Sequence, residues 1–262
     1  MSYRKDNRTP GQIGGVDMVF PYRPDNVESS LIKKHPLQRI HSPSRSISAF
    51  VHATGLVSFF YSFQCLKYFP GEINEAYGWH FQFLTIIALS ISTLTFIFGF
   101  LADITLNPKL FLIKNALAVA SAPLEVLISL LYWGLTAIDR TLVMPPGMHI
   151  DTFVDLSLHL FPAALLLIDA LLLSPPWTVG VVPALLVPGC LATFYWFWLE
   201  HCYSYNGWYP YPIMEILKTE HRIILFVGSA LTMSASTLAL KWAFSRFNGQ
   251  LGKAVPGDAK RR

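Results

Sequence analysis

The residues of this sequence best equipped for chemistry lie inside its most apolar stretches. His52, Lys114, Glu125, Asp155, His159 and Asp169 interrupt long hydrophobic runs, and Glu200 and His201 stand at the end of another. An ionisable group in such a run is costly unless it faces a partner or a wet cavity, so each is a functional candidate. Asp155 and His159 are four residues apart, which puts them on one helical face, where the carboxylate can orient the imidazole. An oriented His can act as general base on a hydroxyl, and Thr85, near the head of a different apolar run, carries one. Each residue also has a structural role open to it. A membrane Thr ordinarily bonds back to a carbonyl one turn earlier, a Lys four residues from a membrane face can snorkel, and a buried His can be simply packed and hydrogen-bonded. There is no helical His-Glu-x-x-His, no Gly-rich phosphate loop and no Gly-x-Ser-x-Gly elbow, so no metal or cofactor is expected.

The elements that must position these residues follow from composition. Of 262 residues, 53% are apolar and only 14% charged, against roughly 25% charged in soluble domains. The apolar residues fall in blocks of about twenty, the length that crosses a hydrocarbon core of about 30 Å. Six blocks are legible, near residues 47 to 68, 82 to 104, 110 to 137, 152 to 174, 178 to 200 and 223 to 247. The predicted fold is an all-α membrane protein, a bundle of six transmembrane helices over residues 46–247. A basic, disordered cytoplasmic tail is expected over 1–45 and a second basic tail over 248–262. Prolines 123, 162, 183 and 188 fall inside spans and predict kinks. The three cysteines are expected to be free thiols, and the small net charge of +4, concentrated in the tails, points away from nucleic acid as a partner.

Lys and Arg crowd both tails, which puts both termini in the cytoplasm and the loops near 69 to 81, 138 to 151 and 201 to 222 on the opposite side. Trp79, Tyr77, Trp133, Trp208, Tyr209 and Tyr211 would form an aromatic belt there. In that frame His159 lies roughly 10 Å and Thr85 roughly 5 Å deep from the non-cytoplasmic side, a depth they can share. His52, Lys114 and Asp169 fall in the cytoplasmic third and suggest a separate polar cluster, with Lys114 and Asp169 as its ion pair. Glu125 lies near mid-membrane.

Several ordered stretches resemble one family. Gly78-Trp79-His80-Phe81-Gln82-Phe83-Leu84-Thr85 is similar to a Trp-x-Phe-Leu-Thr motif at the head of a second span. Pro123, Tyr132-Trp133 and Asp139-Arg140 follow the same pattern, as does His159 with an acidic residue ten positions later at Asp169. Trp196-Phe197-Trp198-Leu199-Glu200-His201 and Gly207-Trp208-Tyr209-Pro210-Tyr211-Pro212 complete it. These pieces resemble the androgen-induced family of multipass membrane threonine hydrolases, over about residues 75 to 245. The resemblance implies an endomembrane enzyme, of the endoplasmic reticulum rather than the plasma membrane. It implies Thr85 as nucleophile and His159 as base, with Asp155 and Asp169 supporting, and a lipid substrate, fatty-acid esters of hydroxy fatty acids. Three departures bear on the substrate: Pro162 is two positions nearer the His than the family's proline, Glu125 replaces a small residue, and Asp155 replaces an amide. Two other classes stay open on the residues alone. One is a non-catalytic membrane scaffold or regulator. The other is a transporter with a proton path through Asp155, His159, Glu125 and Asp169.

Overall fold

Each apolar run folds as helix, because a segment in hydrocarbon must satisfy its backbone polar groups internally. The computed structural model describes residues 33–69, 71–145 and 147–249, so residues 1–32 and 250–262 of the expected tails 1–45 and 248–262 lie outside the described residues. The long helices are α1 (Ile47–Cys65), α2 (Leu84–Thr105) and α3 (Pro108–Ile138). They are followed by the pair α4 (Thr152–His159) and α5 (Phe161–Ile168), then α6 (Val181–Asn206) and α7 (Thr219–Asn248). Among the described residues, five helices are long and apolar enough to cross a membrane, and α4 with α5 makes a sixth span bent by 43°. The chain is therefore an all-α membrane bundle.

Local sequence sets the breaks. Asn107 accepts the Lys109 N–H and Pro108 takes the first helical position, which together start α3 immediately after α2 ends at Leu106. Asp151 caps α4 through the Phe153 N–H. Pro162 can neither donate to the carbonyl of Leu158 nor avoid crowding it, so the span breaks at Leu160 instead of kinking gently. Beyond α5 a turn of π-helix, Asp169–Leu173, closes the span. Pro123 and Pro188 are accommodated within α3 and α6.

Phe59, Leu89, Phe96 and Leu166 form the centre of the main core, where α1, α2 and α5 meet. The close approach of α1 and α2 requires Gly99: a Cβ there would sit 2.6 Å from the His52 ring. α7 packs along both α3 and α6, but α3 and α6 scarcely touch one another. Residues 33–45, within the tail expected to be disordered, make contacts with the bundle. Gln38 bonds to the Ser42 and Leu173 carbonyls, and Arg39 reaches Asn248 and the Phe247 carbonyl at the end of α7. The two described ends of the chain thus meet at one face of the bundle. At the other face, segment 71–83 and the short helix Pro212–Ile216 cover the helix ends.

Candidate active site

Thr85 stands in the first turn of α2, and its surroundings separate it from the other hydroxyls of that helix. Ser90, Ser92, Thr93, Thr95 and Thr105 each bond back to the carbonyl four residues earlier. The carbonyl one turn before Thr85, that of Phe81, is taken by the indole N–H of Trp198 at 2.8 Å. The Thr85 hydroxyl lies beside that of Tyr211, which accepts the Leu84 N–H at 3.0 Å. A side chain expected on spacing to be tied into its helix is thus free of it.

The backbone entering α2 is held from outside. Gly78 has φ +81° and no room for a side chain, since a Cβ would lie 2.7 Å from Cys202 Sγ. Trp79 follows with φ +48°, an uncommon conformation for a bulky residue and one associated with functional sites. Tyr195 donates to the Gln82 carbonyl at 2.9 Å, and Asn206 accepts the Tyr77 N–H at 2.8 Å. α6 therefore supplies most of the scaffold that aims Thr85.

His159 ends α4 at the break. Its Nδ1 lies 2.8 Å from Asp155 Oδ1, as the four-residue spacing predicts, and its ring stacks on Tyr132 of α3 with centroids 3.4 Å apart and planes 7° apart. Its carbonyl accepts the Ser129 hydroxyl. Nε2 makes no hydrogen bond among the described residues. With Nδ1–H directed at a carboxylate, Nε2 is the nitrogen with a free lone pair.

Thr85 and His159 line one cavity of about 690 Å³ at the face covered by segment 71–83, together with Tyr132, His80, Glu72 and Glu215. The cavity is a vestibule with a mixed polar and apolar wall. Burial pulls the His80 imidazole below its ordinary range, and its Nε2 faces Asn74 Oδ1 at 2.8 Å. Burial raises the Tyr211 phenol. Burial and then the Glu200 carboxylate push the Tyr209 phenol up to about 12, so it stays protonated between Glu200 and Arg222. Tyr209 and Tyr211, expected in an aromatic belt, thus turn inward to the site, whereas Tyr77 and Trp79 remain at the surface.

The remaining polar residues assemble elsewhere. His52 lies between two carboxylates, with Nδ1 2.6 Å from Asp103 and Nε2 3.2 Å from Asp169. Lys114 is 2.5 Å from Asp169 and 2.8 Å from Ser174 Oγ. Lys114 is fully buried, so the snorkelling alternative is excluded. Asp169, expected to support His159, belongs to this second cluster: ten residues of broken helix separate the two, roughly 15 Å along the axis. Asp103 escaped the sequence reading because it lies within a turn of the end of α2, where a carboxylate reads as surface. Glu125 bonds only to Ser92, at 2.8 Å. Tyr211, Tyr195 and Trp198 were legible only as aromatics, although Tyr211 falls within the quoted Gly207–Pro212 stretch. Among the described residues no group of three His, Cys, Asp or Glu could hold a metal, and all three cysteines are free.

Comparison with known proteins agrees with this architecture. The chain is 32% identical over 203 residues to a UPF0641 membrane protein of Schizosaccharomyces pombe, an alignment covering 76% of this chain and 91% of that protein. No solved structure matches the chain. The sequence profile of the FAR-17a/AIG1-like protein family matches residues 47–244, from the start of α1 to within the last turns of α7, and takes in every element that builds the vestibule. The chain belongs to the FAR-17a/AIG1-like family of membrane proteins.

Proposed function

We propose that this protein is an intramembrane ester hydrolase in which Thr85 is the nucleophile and His159 the general base. One observation carries the reading: the α2 hydroxyl that is not bonded back into its helix shares a cavity with an imidazole whose Nδ1 is fixed by a carboxylate. A Thr hydroxyl is almost wholly protonated at neutral pH and needs such a base. In the first step His159 Nε2 takes the Thr85 proton, Oγ1 bonds to the acyl carbon, and the ester C–O bond breaks. The departing alcohol oxygen takes the proton from His159. Water then gives a proton to His159 and attacks the acyl-threonine, and Thr85 leaves as the alkoxide and recovers that proton. Asp155 holds the tautomer and stabilises the imidazolium. The substrate class is fatty-acid esters of hydroxy fatty acids. The chain works in the endoplasmic reticulum with both tails in the cytoplasm, and the vestibule faces the opposite side.

Turnover of a long-chain fatty-acid ester of a hydroxy fatty acid by purified protein, with labelling by a fluorophosphonate-type probe, tests this reading. Thr85→Ala and His159→Ala are each expected to lose turnover almost completely and to similar extents, because members of one catalytic unit are not additive. Thr85→Ala protein that is inserted, folded and cleaves the ester at the parent rate would falsify the threonine mechanism.

A further inference from the structure

A second cavity, of about 140 Å³, adjoins the vestibule and differs from it in kind. Its walls are Leu127, Ile128 and Leu131 of α3 and Leu191 and Ala192 of α6, and Met233 of α7 contributes to its floor. Apart from Ser229, Tyr195, whose hydroxyl is bonded to the Gln82 carbonyl, and the residues shared with the vestibule, the lining is apolar. Thr85, Tyr132, Val143 and Tyr211 line both cavities, so Thr85 stands where the two adjoin. The outer side is open because α3 and α6 lean on α7 but not on each other. The slot between them is flanked by Phe194, 64% exposed, and Leu130, 56% exposed, on surfaces of helices apolar enough to cross the bilayer. The slot runs inward from Tyr132 to Leu124, eight residues of α3 or about 12 Å. A narrow slot without a charged wall accepts neither a headgroup nor water at equilibrium, since nothing in it would replace their hydrogen bonds.

We infer that the α3–α6 slot is the acyl site, and that it admits one unbranched hydrocarbon chain sideways from the membrane and brings its carboxyl end to Thr85. The inference rests on the hydrolase reading for the identity of the reacting group, and extends it by assigning the two halves of the ester. The acyl chain lies in the slot, and the alcohol portion, with the attacking water, lies in the wider vestibule. α6 is the outer wall: it packs along α7, and its C-terminal half is fixed to the 77–82 segment and to Tyr209, so the slot narrows or widens with the side chains of α3 and α6 that face it. Slot width therefore selects on the branching and length of the acyl chain, while the vestibule tolerates different alcohols.

Two measurements test the assignment. A palmitoyl ester carrying a photoreactive diazirine near the middle of the acyl chain, added to Thr85→Ala protein in micelles, should crosslink to peptides containing residues 124–131 and 188–195, and excess unlabelled long-chain ester should compete it away. In otherwise unaltered protein, Ala192→Trp should lower the ratio of palmitoyl-ester to butyryl-ester turnover about tenfold or more. Leu131→Ala, which widens the slot without adding bulk, should raise turnover of methyl-branched acyl esters relative to straight ones. Crosslinks confined to other lipid-facing surfaces, or insensitive to competitor, overturn the assignment, as does an unchanged chain-length ratio in folded Ala192→Trp protein. Competed crosslinking in the slot without turnover of any ester by the parent protein would leave the chain site standing and remove the hydrolase reading, so the two failures are distinguishable.

Discussion

The role proposed for Thr85 rests on a lost local bond. Five other hydroxyls on α2 spend their proton on the preceding turn, whereas the carbonyl available to Thr85 is occupied by Trp198. Thr85→Ser keeps a hydroxyl in the same place, so partial turnover is expected, slower because the smaller side chain is less confined. Asp155→Asn should be milder than His159→Ala, since it weakens orientation and basicity without removing the base; kcat on one long-chain ester ranks the variants. His80 makes a separate, thermodynamic prediction. The fold keeps this imidazole neutral, whereas in the unfolded chain it takes up a proton below its ordinary value of 6.5. The unfolded state then binds more protons, so stability is full above that pH and falls as the pH drops through it. Thermal unfolding in detergent between about pH 7.5 and pH 5.5 should show a shallower acid loss for His80→Asn than for the parent.

At the scale of elements, the broken span α4–α5 divides two polar sites that the sequence places on one run. His159 ends the first piece and turns to the vestibule, and Asp169 follows the second and joins Lys114 and His52. Both nitrogens of His52 face carboxylates, and Lys114 pairs with one of them in a dry interior. Removing one partner leaves a buried charge uncompensated: Asp169→Ala should cost about 3–5 kcal/mol, seen as a lower unfolding temperature in detergent. Replacing both, as Lys114→Met with Asp169→Leu, should recover most of that loss, which separates charge imbalance from packing damage. Gly99→Ala presses a methyl group into the His52 ring of the same cluster and should cost about 1–3 kcal/mol by overpacking.

For the whole molecule, the fold has a polarity. Arg39 and Arg45 lie at the face where the two described ends meet, Arg39 on Asn248 and Arg45 on the Ile104 carbonyl. The vestibule opens at the opposite face. The proposed orientation has the first face in the cytoplasm, where positive charge is retained during insertion, so epitope tags at the two termini should be digested together when intact cytoplasmic-side-out vesicles are treated with protease. Protection of one tag and loss of the other would rule out an even number of spans.

The sequence by itself determined the membrane class, the six apolar runs and the Asp155–His159 pair, because these depend on run length and on a helical repeat of 3.6 residues, both written along the chain. It also determined the Lys114–Asp169 pair, since opposite charges at equal depth in a low-dielectric interior have few other partners. The family was legible in ordered motifs that span most of the chain. Only the tertiary structure decided which helices stand next to each other, and three outcomes turned on that. Asp169 went to His52 rather than to His159, because the break at Leu160 redirected the second half of the span. Residues 33–45 pack on the bundle, because Asp103 offers a buried acceptor to the Ser44 N–H as well as to the Ser48 hydroxyl, and a disordered tail would leave it short of a partner. Tyr195, Trp198 and Tyr211 became the supports of Thr85 because α6 and the 207–217 segment lie against the head of α2. Such contacts join residues more than a hundred positions apart, and neither hydropathy nor local spacing carries any trace of them.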